Sequence, residues 1–246
     1  MEWFENEQFW ETFYEFMFSE VRFSLASQEI DQILKLTGIG GGNVLDLCCG
    51  PGRHSAILAQ RNFAVTGVDR TPFLLNKARA HCPGVEFVEA DMREFQRPAA
   101  FDLILNLFTS FGYFETRADD LRVLKNIRLS LKPGGVFLMD VLGKEILAGR
   151  PADTAWDPQP NDDLMVHHYD VLPGWGRIKV QWLLLKNGQT QRFEFFQNLY
   201  SGQELVMMFE QAGFTSIELF GNLDGDAYDQ YAARLVIKAR IACAKS

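Results

Sequence analysis

Residues 43–55 read NVLDLCCGPGRHS, in which Val44, Leu45 and Leu47 flank Asp46 and give way within a few positions to Gly50-Pro51-Gly52. An apolar run that stops at a Gly-Pro-Gly turn reads as a buried strand, an open loop, and a helix starting near Arg53. In sheets of parallel strands, ligands bind at the carboxyl ends of the strands, where the strand order reverses. Gly50 and Gly52 carry no Cβ, so a ligand can approach the main chain there, facing the free N–H groups of the next helix.

Many nucleotide-binding folds share that geometry, and the details of this loop separate them. No Gly-Lys-Ser/Thr follows, which excludes the phosphate loop of NTPases. The dinucleotide fingerprint fails at its third glycine, because the run is Gly50, Gly52, Ser55. Asp46 would repel a pyrophosphate but suits a ligand bearing an ammonium group. Asp69 ends the next strand-like run, 23 residues on, where an acid accepts hydrogen bonds from ribose hydroxyls. Asp91, in VEADMREF, is placed to accept from an exocyclic amine, and Asn106 and Leu107 close the fourth run. Together these strand-end groups form an adenosine-type pocket with a cationic tail.

Outward from the loop, strands alternate with helices: 43–48, 63–69, 85–90, 101–108 and 135–142 read as strands, several wholly apolar, as parallel strands covered on both faces are. Thr71-Pro72 offers a helix N-cap with proline at the first helical position. Leu121, Leu124, Ile127 and Leu131 line one helical face before KPGG. The rhythm then changes. Residues 149–162 hold three of the nine prolines and read as a linker or long loop. The runs 164–172, 177–185 and 190–200, joined by PGWG and the Asn-Gly hairpin signal KNGQ, read as three antiparallel strands. Ser201 and Glu204 have capping-box spacing, Gly213 ends that helix, and strands at 216–221 and 234–241 close the fold.

The expected fold is therefore α/β: a doubly wound, mainly parallel seven-stranded sheet with an N-terminal helical lid and a small antiparallel insertion. Its parts are a helical cap (1–38), a ligand-binding domain (39–148 and 201–246) and an inserted sheet (149–200). Residues 1–18 hold eight aromatics, with Phe9, Phe13 and Phe16 on one helical stripe, and a lid reading sets Tyr14 near the ligand.

The 246 residues carry 32 acids against 24 Lys and Arg, a net charge of −8, with no basic run, which argues against nucleic acid as partner. No apolar run approaches the ~18 residues needed to span a bilayer, and the N-terminus lacks the pattern of a secretory signal. Cys48, Cys49, Cys82 and Cys243 form neither a CxxC pair nor an even framework, which suits a reducing cytoplasm. No metal-ligand spacing is expected.

VLDLCCGPGRHS, GVDRTPFLLNKAR, EADMREF and FDLILNLFTSFGYF…LKPGGVFLMD resemble the successive motifs of class I S-adenosylmethionine-dependent methyltransferases over about residues 40–142. YSGQELVMMFEQAGF resembles the end of the same fold. The inserted strands resemble those of small-molecule N-methyltransferases, such as glycine and amino-sugar enzymes, where an antiparallel sheet roofs the active site. The resemblance implies S-adenosylmethionine as cofactor and S-adenosylhomocysteine as product. It implies Asp46 and Gly50 facing the methionine end with Gly52 opening the loop, Asp69 at the ribose, Asp91 and Met92 at the adenine, Asn106 and Leu107 at the sulfonium, and Cys48 and Arg70 among the cofactor-binding residues. Cys48 departs from the small residue common there. The acceptor implied is a small molecule, nitrogen ahead of oxygen. A non-catalytic binder of the same cofactor and an NAD-dependent oxidoreductase are the alternatives.

Methyl transfer needs a base only if the acceptor arrives protonated. His54, Tyr113, His167, His168, Tyr169 and Tyr200 are the candidates. Tyr113, in the segment that shapes the acceptor pocket in the resembling family, and His168 are the catalytic choices. His167 and His168 adjoin on one strand, so only one of them faces the pocket.

Overall fold

The protein is described by a computed structural model over residues 2–149, 154–158 and 163–242. After a 3-10 turn at Trp3–Glu5 come α1 (Glu7–Met17) and α2 (Glu20–Thr37). The alternating part then runs β1 (Asn43–Leu47), α3 (Arg53–Gln60), β2 (Ala64–Asp69), α4 (Pro72–His81), β3 (Glu86–Glu89), β4 (Phe101–Asn106), α5 (Arg117–Ser130), β5 (Leu131–Val141) and α6 (Lys144–Ala148). An excursion of four strands follows: β6 (Thr154–Pro158), β7 (Leu164–Val171), β8 (Arg177–Lys186) and β9 (Gln189–Asn198). The chain returns through α7 (Gly202–Ala212), β10 (Ser216–Phe220) and β11 (Leu235–Arg240).

The main sheet has seven strands in the order β10-β11-β5-β4-β1-β2-β3. β1 pairs in parallel with both β2 and β4, so the order reverses there, and β11 alone runs antiparallel between β10 and β5. Leu45, Leu47, Ile104 and Phe137 enter one apolar cluster with α5 and α7, while Val44, Leu103, Leu105 and Val136 enter the other. The period-2 alternation of a strand thus feeds both faces, which is why these runs carry so few polar residues. α2 belongs to the second cluster through Ile30 and Ile33. α1 packs elsewhere: Phe13 meets Trp182 and Phe193 of the inserted sheet edge-on, each at 5.3 Å. Burying an aromatic such as Phe9 or Phe13 contributes roughly 1.5–3 kcal/mol, so α1 and the inserted sheet hold each other in place.

The ends of the elements follow their residues. Ser201 and Glu204 close a reciprocal capping box, and Gly213 ends α7 in the left-handed region at φ 94°. Asn187 and Gly188 take positive φ values of 52° and 72° in the β8–β9 hairpin. Thr71 stands at the N-cap of α4, but its hydroxyl does not cap the helix. It donates to the Phe4 carbonyl (3.2 Å), and Asp69 accepts the Thr71 N–H instead.

Two expectations are corrected. Among the described residues the inserted sheet has four strands, not three: Thr154–Pro158, inside the stretch read as a linker, pairs antiparallel with Leu164–Val171. Its prolines mask it in the sequence, yet Pro158 sits at a strand end on an edge, where a missing N–H costs little. The rest of that stretch, residues 150–153 and 159–162 with Asp162, lies outside the described residues, as does Cys243. The fourth strand stops at Asn106 rather than Phe108, because Phe108 and Thr109 adopt φ values of 57° and 55°. Among the described residues, no helix is long and apolar enough to cross a membrane.

Candidate functional site

β1 delivers Asp46 to its carboxyl end, where Ser55 Oγ from α3 donates to Oδ2 at 2.6 Å. The loop beyond turns through left-handed residues at Cys48, Gly50 and Gly52. Asp69, at the end of β2, braces that loop: Oδ2 accepts the Gly50 N–H (2.9 Å) and Oδ1 the Thr71 N–H (3.0 Å). Burial pushes the Asp69 carboxyl up, and these backbone N–H groups oppose the shift. Burial likewise pushes the Cys48 and Cys49 thiols well above their ordinary range, with Asp69 and Asp46 adding to it. Neither sulfur is therefore an activated nucleophile.

A cavity of about 800 Å³ lies over the carboxyl ends of β1, β2, β4 and β5. Of the residues the sequence assigns to the cofactor, Asp46, Cys48, Gly50, Asp69, Arg70, Asp91, Met92 and Leu107 line it. Gly52, Asn106 and Tyr14 do not. A Cβ on Gly52 would stand 3.1 Å from Ala78 Cβ and 3.2 Å from the Phe87 ring, so this glycine serves the packing of α4 and β3. Asn106 is fully buried and donates from Nδ2 to the Leu47 carbonyl (3.1 Å), tying β4 to β1. Tyr14 packs on Phe18 and Phe73, with the Lys77 ammonium 4.9 Å from its ring centre.

Asp91 is already engaged. Arg93 reaches it through Nε and Nη2, Arg70 through Nη1, and these bonds outweigh burial, which acts to raise it, so its carboxyl sits below the ordinary range. The same two arginines extend to the N-terminal turn, Arg70 to Glu5 and Arg93 to Glu2.

The opposite end of the cavity is built on the segment after β4. Asp140, at the end of β5, accepts the Phe108 N–H with Oδ1 and Arg234 Nη1 with Oδ2 (2.6 Å). The Arg53 guanidinium lies 3.9 Å and that of Arg234 4.7 Å from the Phe108 ring centre. Glu29 of α2 holds Arg53 Nη1 (2.5 Å) and His54 Nε2 (2.8 Å). Burial acts to raise Glu29, but the bonds and charges of His54 and Arg53 prevail and bring it down to about 2. Its folded pKa lies below the ordinary 4.5, so this contribution is present above pH 4.5 and is lost as pH falls toward 2. Glu29→Gln is expected to cost about 2 kcal/mol of stability near neutral pH, with the gap to the parent closing in acid. Urea titrations of both proteins across that range check it, and a gap that stays constant refutes it.

Tyr113 lines the cavity, edge-on to Trp3 at 5.1 Å. Burial, with Tyr169 and Cys48 adding, pushes its hydroxyl far above the ordinary phenol, so it stays protonated. Of the two adjacent histidines the structure turns His167 into the cavity, paired with Asp157 at 3.3 Å, whereas His168 meets Thr154 Oγ1 at 2.9 Å and stands off the lining. The choice of His168 is thus corrected by strand phase: His167 shares its face with the buried Met165. Tyr200 points away as well, donating to the buried Asp120 at 2.5 Å. Burial pushes Asp120 up to about 6, and with Asn198 Nδ2 (2.8 Å) it anchors the inserted sheet to α5. The sequence reading missed Arg22, Arg234, Trp182 and Phe195 on the cavity wall. Only Trp182 carried a signal, its alternation with Val180 in RIKVQWLLL.

Against known proteins, a family model described as a methyltransferase domain matches residues 44–135. The putative methyltransferase YqeM of Bacillus subtilis (strain 168) is 32% identical over 125 residues, covering 49% of this chain and 51% of YqeM. The chain thus spans about half the length of that curated relative. The crystal structure of an S-adenosylmethionine-dependent methyltransferase from Clostridium acetobutylicum ATCC 824 superposes with a TM-score of 0.77 at 15% identity, over 96% of this chain and 98% of that one. CalS10, an amino pentose methyltransferase from Micromonospora echinaspora solved with bound S-adenosylmethionine, gives 0.71 at 23% identity over 94% and 95%. Residues 44–135 therefore match a methyltransferase-domain model, and the chain as a whole shares the fold of the Clostridium acetobutylicum S-adenosylmethionine-dependent methyltransferase.

Proposed function

We propose that this protein transfers a methyl group from S-adenosylmethionine to a small-molecule acceptor, at nitrogen in preference to oxygen. The observation that carries the reading is the pair Asp46 and Asp69, which line one cavity, Asp69 holding the Gly50 N–H of the glycine loop between them in the chain. The residues present fit the cofactor. Asp69 keeps lone pairs for ribose hydroxyls beyond its two backbone bonds. Asp46, with one oxygen on Ser55, keeps the other for an ammonium group. Met92, Leu107 and Cys48 give the wall between the two ends its apolar character. When bound, S-adenosylmethionine supplies a methyl group already activated by its sulfonium and leaves as S-adenosylhomocysteine.

What the chain itself supplies is orientation and dryness. The aromatic N-terminal segment and the inserted sheet cover the strand ends, with Trp3, Trp10, Trp182 and Phe195 on the lining. Holding two reactants in line can lower a barrier by roughly 7–11 kcal/mol. Tyr113 holds its proton and orients the acceptor by donating from its hydroxyl. An amine acceptor suits such a site, since it reacts through its own lone pair once neutral, and the amino pentose named for CalS10 is an acceptor that carries such a nitrogen. The three described cysteines are unpaired, which suits the cytoplasm.

Calorimetric titration with S-adenosylmethionine, and with NADH as comparison, tests the reading. Micromolar binding of the sulfonium with none of NADH is the expected result, followed by transfer of labelled methyl to a panel of amines. Binding of NADH alone overturns it.

A further inference from the structure

Where β4 and β5 end, the wall of the cavity turns basic. Arg22 reaches it from α2, Arg53 from the first turn of α3, and Arg234 from the segment before β11. These arginines are unequally satisfied. Arg234 is paired with Asp140, and Arg53 uses Nη1 on Glu29 and on the Arg22 carbonyl (3.1 Å). Arg53 is only 6% exposed, yet its Nη2 has no hydrogen-bond partner among the described residues. The Arg22 guanidinium makes no hydrogen bond or ion pair among the described residues. Glu29 and Asp157 act on it through space, while Arg234 repels it.

Buried cationic donors are costly to leave unmet. Glu29 and Asp140 pair directly with Arg53 and Arg234, whereas the half-buried Arg22 on the same lining has no such acid bonded to it among the described residues. The bond from Arg53 to the Arg22 carbonyl ties the Arg53 side chain to the backbone of α2, and both residues line the same cavity. A planar guanidinium presents parallel N–H donors that match the two oxygens of a carboxylate. On the same lining Phe108, Trp182 and Tyr169 offer aromatic surface for the body of a ligand.

We propose that the methyl acceptor carries a carboxylate, received by Arg22 and by the unmet Nη2 of Arg53, and that these two residues select an anionic acceptor. Calling the ligand the acceptor rests on the methyl-transfer reading above; the carboxylate site itself does not.

The test uses the full chain and matched probes: phenylacetate and indole-3-acetate, their primary amides, and phenyl phosphate. Each is titrated by tryptophan fluorescence with and without saturating S-adenosylhomocysteine. The acids are expected to bind roughly 10- to 100-fold tighter than the amides. Arg22→Gln and Arg53→Gln should erase that preference while S-adenosylhomocysteine affinity, which reports a folded chain, stays within about threefold. Arg22→Lys should keep part of it, because it retains the charge without the fork. Acids no tighter than amides, or a preference that survives both glutamine variants, overturns the proposal. Phenyl phosphate binding tighter than phenylacetate overturns the carboxylate assignment in favour of a phosphate. Absence of S-adenosylhomocysteine binding counts against methyl transfer alone, since the acid preference is read without it as well.

Discussion

Asp69→Asn is expected to weaken S-adenosylmethionine binding by roughly 100-fold or more, the largest loss in affinity this site offers to a single change. The carboxylate does two things at once. Its oxygens accept the Gly50 and Thr71 N–H groups, fixing the loop and the start of α4, and their remaining lone pairs face the cavity. Asparagine replaces one oxygen with an NH2 group, which sets a donor against a backbone donor in a buried place. Hydrogen bonds to a charged acceptor contribute about 1.5–3 kcal/mol each, so the loss of charge towards two ribose hydroxyls accounts for the estimate. Calorimetry on Asp69→Asn checks it, with circular dichroism confirming a folded chain. Affinity within about threefold of the parent would show that Asp69 only shapes the loop.

Asp140→Ala is expected to act on the other end of the cavity, lowering stability by roughly 3 kcal/mol while S-adenosylhomocysteine affinity changes less than about threefold. Asp140 is buried, and its removal strands the Phe108 N–H and takes the partner from Arg234. It also releases two consecutive non-glycine residues from the left-handed region, a conformation that persists only where surroundings enforce it. Asp140→Asn should lose less, because its amide oxygen still accepts the Phe108 N–H, although its NH2 then faces the Arg234 donor and the charge is gone. Urea denaturation measures the cost, and hydrogen exchange at Phe108 and Thr109 should accelerate in the alanine variant. A loss below about 1 kcal/mol, with unchanged exchange at both amides, would sink this account of the loop.

Much of the scaffold is legible in the chain because it depends on local rules. Apolar runs with glycine turns fix the parallel strands, Ser201 with Glu204 fixes the start of α7, and Asn187-Gly188 fixes a hairpin. β6 was not legible: a strand of five residues beside prolines is recognisable only once β7 offers its edge. The break after Asn106 was hidden for the same reason, since nothing local asks Phe108 to leave the strand; Asp140, 32 residues on, holds its amide there.

The sequence by itself determined the class of fold and the row of polar groups at the strand ends, because both follow from hydrophobic period and the position of each residue along its strand. It put Asp46, Asp69 and Asp91 where parallel strands end, and parallel packing brings such ends together. Tertiary structure alone decided which neighbours face inward. It turned Gly52 and Tyr14 into packing, chose His167 over His168, and brought Arg22, Arg53 and Arg234 from three distant segments onto one cavity lining, the last two over the Phe108 ring. Strand phase, helix rotation and loop closure set those directions, and each depends on contacts between residues far apart in the chain.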